Sequence, residues 1–239
     1  KHFQDNYKAI LIESGASRGL VQGNVINENT ANVNCIEVEG NYINVVGNSI
    51  YVTTNGFGIK AITGSQGTVI ADNTVRCSSG GINTEMNNTI IKGNLLRGSF
   101  ATFGIRINAV ECQVIGNQIE SKPSASTRGA IDIQATGDRS VISGNVIDGG
   151  QAGRAIYCAA DDCAINNNVV TAASSSNVEI EIIADNCVVS GNRINGGTNG
   201  IQGAATADKP LIIGNNCVGC TTAWNVNSST NVTEASNTV

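Results

Sequence analysis

A six-residue pattern, apolar-any-Gly-Asn-any-apolar, first appears at residues 21–26 and then returns along almost the whole chain. Its Asn recurs at intervals of 21 to 28 residues, at Asn24, Asn48, Asn73, Asn94, Asn117, Asn145, Asn168, Asn192, Asn215 and Asn237. A repeat of this size indicates a solenoid, in which each period is one structural unit that stacks on the next. The repeat therefore constrains the fold more than any local propensity does.

Each period contains two apolar runs, and one of them alternates with polar residues, as at 36–39, 105–108 and 131–134. Alternation with period two predicts short strands with one face buried. Two or three strands per period, stacked in register, would bury a continuous core of Ile, Val and Leu. We therefore predict an all-β, single-stranded parallel β-helix, or solenoid, of about ten rungs.

The repeat keeps its character from Asn24 to Asn237, which predicts one domain over residues 1–239. Because the chain begins with Lys1 rather than Met and shows no cap before its first strand, we expect it to be part of a longer protein.

The repeated Asn has a physical explanation, since an Asn in a bend can donate its amide to the side-chain carbonyl of the Asn one rung away. The residue before it is usually Gly, which accepts a left-handed backbone. It is replaced by Asp72, Asn167 and Ser236 in three of the rungs, and these residue types tolerate or cap the same turn. The column is therefore predicted to be a structural ladder without chemistry of its own.

The net charge of −5 argues against a nucleic-acid partner, because such proteins carry a basic stripe that neutralises phosphates. No run of 18 apolar residues is present, so the sequence predicts no membrane-spanning helix and no membrane partner.

The eight cysteines follow the repeat rather than a disulfide pattern. Cys112, Cys163 and Cys187 each precede their Asn by five residues, and Ser140 occupies the same position in the rung between. Stacked free thiols are the favoured interpretation, with a Cys163–Cys187 bridge as the alternative. Zinc at Cys217 and Cys220 is disfavoured, because no second pair or His accompanies them. The pair at 161–162, two Asp residues, is expected to form a plain turn.

Two outward columns are predicted on the strands of the alternating run. The first column contains Glu37, Lys60, Asn83, Arg106, Asp132, Tyr157, Glu181, Gln202 and Asn225. The second lies two residues further on and includes Glu39, Glu85, Asn108 and Gln134. A long face of amides and mixed charges suits an extended sugar polymer, whose hydroxyls such groups can bind. The alternative is an ordinary solvated strand surface with favourable pairs between rungs.

The same face offers candidate catalytic residues, namely Glu39, Glu85, Lys60, Arg106 and Asp132. Two rungs separate Glu39 from Glu85, about 9.6 Å, near the upper limit for an inverting glycosidase. Lys60 and Arg106 could instead neutralise a uronate and take its proton in a lyase. Candidate substrate-binding residues are Glu37, Asn83, Asn108, Gln134 and Tyr157. The sequence predicts no metal site and requires no cofactor.

The Gly-Asn repeats with their flanking Val and Ile resemble the right-handed parallel β-helices of the pectate-lyase-like superfamily. The missing opening cap and the small polar turns look most like the β-helical part of a bacteriophage tailspike. The Asp-Asp and Gly-His-Gly motifs of polygalacturonases are not both present, because only the Asp pair is found.

The resemblance implies recognition, and in some members cleavage, of a bacterial surface polysaccharide. It also implies a possible homotrimer and a location outside the cell or on the virion surface. Hydrolysis and elimination both stay open at this point. A non-catalytic structural or adhesin-type solenoid, whose regular face makes only protein contacts, is the alternative from a different class.

Overall fold

The computed structural model describes residues 2–4, 8–28, 33–53, 55–62, 66–120, 128–149, 153–172, 178–204, 206–225 and 233–235. Ser236 and Asn237, which belong to the last repeat of the sequence pattern, lie outside these residues. None of the described residues lies in a helix, so none lies in one long and apolar enough to cross a membrane.

Short strands follow one another along the whole described chain. In order they are β1 (His2–Gln4), β2 (Ile10–Ile12), β3 (Leu20–Gln22), β4 (Val25–Glu28), β5 (Val33–Val38), β6 (Asn44–Val46), β7 (Ser49–Val52), β8 (Gly56–Ala61), β9 (Val69–Ala71), β10 (Thr74–Cys77), β11 (Gly80–Thr84), β12 (Ile90–Lys92), β13 (Leu95–Arg97), β14 (Phe103–Ile107), β15 (Gln113–Ile115), β16 (Gln118–Ile119), β17 (Gly129–Ile133), β18 (Val141–Ser143), β19 (Val146–Gly149), β20 (Arg154–Cys158), β21 (Ala164–Asn166), β22 (Val169–Ala172), β23 (Val178–Ile182), β24 (Val188–Ser190), β25 (Arg193–Asn195), β26 (Asn199–Gly203), β27 (Leu211–Ile213), β28 (Asn216–Val218), β29 (Thr222–Asn225) and β30 (Thr233–Ala235).

Every third strand belongs to the same sheet, which gives three parallel sheets of ten strands each. Sheet A contains β1, β4 and each third strand to β28; sheet B runs from β2 to β29; sheet C runs from β3 to β30. The predicted parallel β-helix of about ten rungs is confirmed. Within a rung the chain passes from sheet B to sheet C, then to sheet A, and then to sheet B of the next rung.

Apolar columns fill the interior. The central column of sheet B is fully buried and consists of Ile36, Ile59, Ile82, Ile105, Ile131, Ile156, Ile180 and Ile201. Each buried Ile side chain stabilises the fold by roughly 1.5–3 kcal/mol. A single rung cannot bury these side chains on its own, so stability depends on stacking.

The asparagine ladder lies in the bend between sheets C and A. Asn48 is typical: its Nδ2 donates to Asn73 Oδ1 at 2.9 Å and to Val21 O at 3.0 Å, and its backbone N–H donates to the same Asn73 Oδ1. Side-chain amides are linked in this way from Asn24 to Asn215. The residue before each ladder Asn has a positive φ, 55° at both Asp72 and Asn167. The predicted ladder and its substitutes Asp72 and Asn167 are confirmed.

A second ladder, the aspartate column, lies in the turn between sheets B and C. Asp161 donates its backbone N–H to Asp138 Oδ1 at 3.0 Å, and Asp185 donates its own to Asp161 Oδ1 at 2.9 Å. Asp208 continues the column with a 2.6 Å bond to Asp185 Oδ1. The turn predicted at 161–162 is therefore correct, but its first Asp also bonds to the rungs above and below.

The cysteines are free thiols, as favoured by the sequence. Cys112, Ser140, Cys163 and Cys187 do stack, since the carbonyl of each accepts the N–H that opens the following strand of sheet C. Cys163 and Cys187 are not bridged, and the Sγ of Cys187 lies 3.9 Å from that of Cys158.

Candidate functional site

The first outward column of sheet B is placed as the sequence predicts. Pairing in the sheet puts Glu37 beside Lys60, Lys60 beside Asn83, and Asn83 beside Arg106. Asp132 and Tyr157 then follow on the next two rungs. Parallel strands hold neighbouring rungs about 4.8 Å apart, so these side chains form one continuous row.

The second column also follows the prediction. The backbone N–H groups of Glu39, Glu85, Asn108 and Gln134 each donate to a carbonyl of the preceding rung, between 2.8 and 2.9 Å away. These residues come directly after their strands in sheet B, and so extend the sheet by one residue. Both predicted columns therefore share one face, which we call the sheet B face.

The strongest concentration of charge on this face surrounds Asp132, whose side chain is fully buried. Arg106 donates from Nε to Asp132 Oδ2 at 3.0 Å, and its Nη2 lies 3.0 Å from the same oxygen. Arg128 Nη1 lies 3.5 Å from that oxygen. Gln134 donates to the other oxygen, Oδ1, at 2.8 Å. Burial raises the pKa of Asp132 even though Arg106 and Arg128 act in the opposite direction. Burial likewise lowers the pKa of Arg106.

Tyr157 occupies the next rung, between Asp132 and Glu181. Arg154 forms an ion pair with Glu181, and its guanidinium carbon lies 5.2 Å from the centre of the Tyr157 ring. Burial, followed by the charge of Glu181, raises the pKa of the Tyr157 hydroxyl. The phenol is protonated at neutral pH, as an ordinary tyrosine hydroxyl is, and can therefore act as a proton donor.

We call this group the arginine cluster; it consists of Arg106, Arg128, Asp132, Gln134, Arg154, Tyr157 and Glu181. Sequence reasoning identified four of its members as site residues and missed Arg128 and Arg154; Glu181 was placed in the outward column without a role. The cluster contains three guanidinium groups and two carboxylates, so it carries net positive charge in a chain whose net charge is −5.

At the other end of the sheet B face, which we call the balanced end, positive and negative charges are more evenly matched. Lys60 Nζ lies 3.4 Å from Glu85 Oε1, which also accepts a 3.2 Å hydrogen bond from Asn83. Asn108 in turn donates to Asn83 Oδ1 at 3.1 Å. The amides thus connect the balanced end to the arginine cluster.

Glu37 lies at the far end of the row and is almost fully buried. It accepts from Lys8 at 2.5 Å and from Asn34 at 2.6 Å. Burial alone would raise the pKa of Glu37, but the hydrogen bonds from Lys8 and Asn34 and the nearby cations outweigh it, and the pKa is lowered.

Aromatic rings line part of the face, which the sequence analysis did not anticipate. The Phe57 and Phe103 rings stack with centroids 5.4 Å apart, and the Arg106 guanidinium lies 3.9 Å from the Phe103 centroid. Gly80 separates the rings, because a Cβ there would approach Phe57 to 2.6 Å and Phe103 to 3.1 Å. Beside them is a depression of about 220 Å³ lined by Asn34, Asn55, Gly56, Phe57 and Ser79.

The five predicted catalytic residues are not brought to one point. Glu39 follows β5 and Asp132 lies in β17, four rungs away, which is about 19 Å at the spacing of parallel strands. Glu85 and Lys60 pair with each other, whereas Arg106 and Asp132 belong to the arginine cluster. In the described part of the chain, no three His, Cys, Asp or Glu side chains are grouped closely enough to hold a metal ion.

Comparisons with known proteins support the fold. An alginate lyase from Paenibacillus sp. str. FPU-7 superposes with a TM-score of 0.67 at 13% identity, covering 100% of this chain and 89% of that one. The A-module of the mannuronan C-5 epimerase AlgE6 from Azotobacter vinelandii superposes with a TM-score of 0.66 at 13% identity, covering 99% and 77%.

The tailspike protein 2 domain of bacteriophage CBA120 gives a TM-score of 0.43 at 13% identity, covering 99% of this chain and 37% of that one. The alginate lyase and the epimerase, neither of them a tailspike, both superpose with TM-scores above 0.6, so the finer resemblance to a tailspike stays a prediction. No protein-family model and no curated protein matches the sequence. What the comparisons establish is the fold, a parallel β-helix like those of the alginate lyase and the mannuronan epimerase.

Proposed function

We propose that this chain binds an acidic polysaccharide along the sheet B face, with uronate carboxylates held by the arginine cluster. The observation that carries the proposal is the convergence of Arg106, Arg128 and Arg154 around Asp132 and Tyr157. Guanidinium groups bind carboxylates in two-pronged geometry, which makes arginine the usual residue for this recognition.

Arg128 is the member best placed to bind a ligand. Its side chain is 39% exposed, and its 3.5 Å contact with Asp132 is the longer of the two arginine contacts to that carboxylate. Arg106 and Arg154 are each 19% exposed and are held more closely by their own partners. Arg128 can therefore pair with a ligand carboxylate while Arg106 keeps Asp132 neutralised.

The rest of the face supplies groups for the hydroxyls of a polymer. Asn83 and Asn108 lie between the charged ends, and Gln134 lies within the arginine cluster. Amides both donate to and accept from sugar hydroxyls. Ten strands at about 4.8 Å give a face of about 43 Å, long enough for several sugar units. Glu37, Glu39, Lys60 and Glu85 border the same path.

The comparisons support the choice of an acidic polymer. The two similar structures named above are an alginate lyase and a mannuronan epimerase, and alginate and mannuronan are polymers of uronic acids. The substrate class is carried over to this chain as part of the proposal.

A second candidate function, cleavage by elimination, is favoured over hydrolysis by the position of Tyr157. The carboxylates of the cluster are engaged in ion pairs with Arg106, Arg128 and Arg154, so neither is available as the general base of a hydrolase. In an elimination a hydroxide ion from solvent would remove the C5 proton of the uronate, and the C4–C5 double bond would form as the C4–O bond breaks. A protonated Tyr157 beside the arginines could give its proton to the departing glycosidic oxygen, while the guanidinium groups neutralise the uronate carboxylate.

The test of the binding proposal compares Arg128→Gln with Arg139→Gln. Arg139 is exposed, pairs with Glu111 and lies in the turn between sheets B and C, so it serves as the matched control. Calorimetric titration with a uronate hexasaccharide should show about tenfold weaker binding for Arg128→Gln and no change for Arg139→Gln. Equal binding by the two variants and the unmodified chain would contradict the proposal.

The non-catalytic alternative makes a different prediction in the same experiments. A structural or adhesin-type solenoid would bind no glycan and give no new product from any polysaccharide. The homotrimer and the extracellular or virion-surface location stay predictions, which sedimentation of the purified chain and localisation of the full protein would test.

A further inference from the structure

A second group of cations lies on sheet A, away from the sheet B face. Tyr51, Arg76 and Arg97 are register partners on the consecutive strands β7, β10 and β13. Their side chains therefore stand about 4.8 Å apart along one column. Two arginines directly opposite each other repel, so this arrangement is unfavourable unless an anion compensates it.

The two arginines differ in their partners. Arg97 pairs with Glu120 at 2.6 Å, which fixes its guanidinium. The guanidinium carbon of Arg76 lies 5.3 Å from the centre of the Tyr51 ring, and among the described residues no carboxylate forms an ion pair with it. Arg76 is exposed and thus carries a positive charge that this part of the chain leaves uncompensated.

Two depressions flank the Arg76 side chain, with volumes of about 220 and 390 Å³. Both are lined by Tyr51, Arg76 and Gly98, and the larger also by Arg97. Neither is lined by a carboxylate; the remaining polar groups on the rims are the hydroxyls of Ser49, Thr53, Thr74, Ser78 and Ser99. Cations, hydroxyls and a ring around open space are suited to a small polar anion.

Gly98 lies in the lining of both depressions. Its φ is 128°, and a Cβ there would lie 2.1 Å from the carbonyl oxygen of Cys77. The chain can therefore turn at this point only with glycine.

We propose that Arg76 and Arg97, with Tyr51 and Gly98, form a second binding site on sheet A for the carboxylate or sulfate group of an acidic saccharide. The choice of a saccharide rather than a free anion rests on the proposed function of the sheet B face. The hydroxyl-bearing rims would bind the sugar hydroxyls around the acidic group. A polymer bound on sheet B could reach the site around the short turn at 78–79, which connects β10 of sheet A to β11 of sheet B.

The test uses amide chemical-shift mapping of the full chain with three probes: digalacturonate, its uncharged methyl ester, and inorganic sulfate. Digalacturonate should shift the amides of Gly98 and Ser99, and the methyl ester should not. Arg76→Gln should weaken that binding about tenfold. Arg193→Gln, an exposed arginine on another column of sheet A, should leave it unchanged.

Unchanged shifts in Arg76→Gln would overturn the site. Equally strong shifts with inorganic sulfate would overturn its assignment to a saccharide. The amides of Asp132 and Tyr157 report on the sheet B face in the same titration, and Arg128→Gln affects only these. The titration therefore distinguishes a failure of the site on sheet A from a failure of the proposed function on the sheet B face.

Discussion

Arg106 donates a hydrogen bond of 3.0 Å from Nε to Oδ2 of Asp132, its Nη2 lies 3.0 Å from the same oxygen, and the other oxygen accepts from Gln134. Because Asp132 is fully buried, its charge depends on these partners. We expect Arg106→Gln to lower the free energy of unfolding by about 3 kcal/mol, since it removes the closer of the two cations that compensate the buried carboxylate and leaves only Arg128, at 3.5 Å. Urea denaturation measures the loss.

The double variant Arg106→Gln with Asp132→Asn provides the control. Removing both charges should restore part of the stability, because a neutral pair of similar shape does not need mutual compensation. If the double variant were as unstable as the sum of the two single variants, the pair would have no coupling and the interpretation would fail.

The ion pair of Glu37 predicts a specific pH dependence. The pKa of Glu37 is lowered by Lys8 and Asn34 against the effect of burial, from an ordinary value of 4.5. The ionised Glu37 therefore contributes its full share to the free energy of unfolding above pH 4.5. This share is lost as the pH falls through the lower pKa that Glu37 has in the folded state. Glu37→Gln should cost about 2 kcal/mol at neutral pH.

The check is the difference in unfolding free energy between the unmodified chain and Glu37→Gln, followed from neutral pH to below pH 4.5. The difference should shrink as the pH falls. Glu111→Gln, which removes an exposed carboxylate paired with Arg139, should give a smaller difference throughout. If the difference in unfolding free energy between the unmodified chain and Glu37→Gln grew as the pH fell, the prediction would be contradicted.

Asn145 lies in the middle of the asparagine ladder, so substituting it tests how much the ladder contributes to stability. Its Nδ2 donates to Asn168 Oδ1 and to Val114 O, and its Oδ1 accepts from Asn117. Asn145→Ala should destabilise the chain by about 3 kcal/mol or more, because several buried polar groups lose their partner. Asn24→Ala at the ladder's first rung should cost clearly less, since Asn24 is only partly buried. Thermal unfolding of the two variants compares them directly.

The aspartate column offers a stabilising change. Asp161 accepts the Asp185 N–H through Oδ1, and its carboxylate stands one rung from those of Asp138 and Asp185. Asp161→Asn keeps an Oδ1 acceptor and removes the repulsion, so it should raise the free energy of unfolding by about 0.5 kcal/mol at low salt. Asp161→Ala loses the acceptor as well and should be destabilising. Denaturation at low and at high salt separates the two effects.

Much of this structure can be predicted from the sequence, because each rung must fill the same buried positions and make the same turn. The Asn column, the glycine before it and the buried Ile column occur ten, seven and eight times, so chance matches are averaged out. The alternation after each Ile also places Glu37, Lys60 and Asn83 correctly in one outward column. This works because the strands of a parallel sheet pair in register, so equivalent residues of neighbouring rungs lie side by side.

The arginine cluster could not be read in full, because alternation fails at the start of the strands in sheet B. Ala155 and Ile156 are consecutive in sequence, yet both are fully buried, as are Cys35 and Ile36. Arg154 therefore lies on the outer face three residues before Tyr157, whereas strict alternation would put the preceding outward residue two positions before it. A small residue, Cys, Gly or Ala, precedes every Ile of the column except Ile180, which follows Glu179. This repeated small residue was the available signal, and a strict period of two hides it.

Tyr157 tests whether the cluster performs chemistry. If Tyr157 gives its proton to the departing oxygen in an elimination, Tyr157→Phe should reduce turnover at least about 100-fold while uronate binding changes little. The ring stays beside Arg154, so the fold and the charge of the cluster are preserved. Ultraviolet absorbance of the unsaturated product measures turnover. Tyr42→Phe, which removes an exposed hydroxyl bonded to Gln66, should leave turnover unchanged. New reducing ends without ultraviolet absorbance would show hydrolysis instead and contradict the proton-donor role.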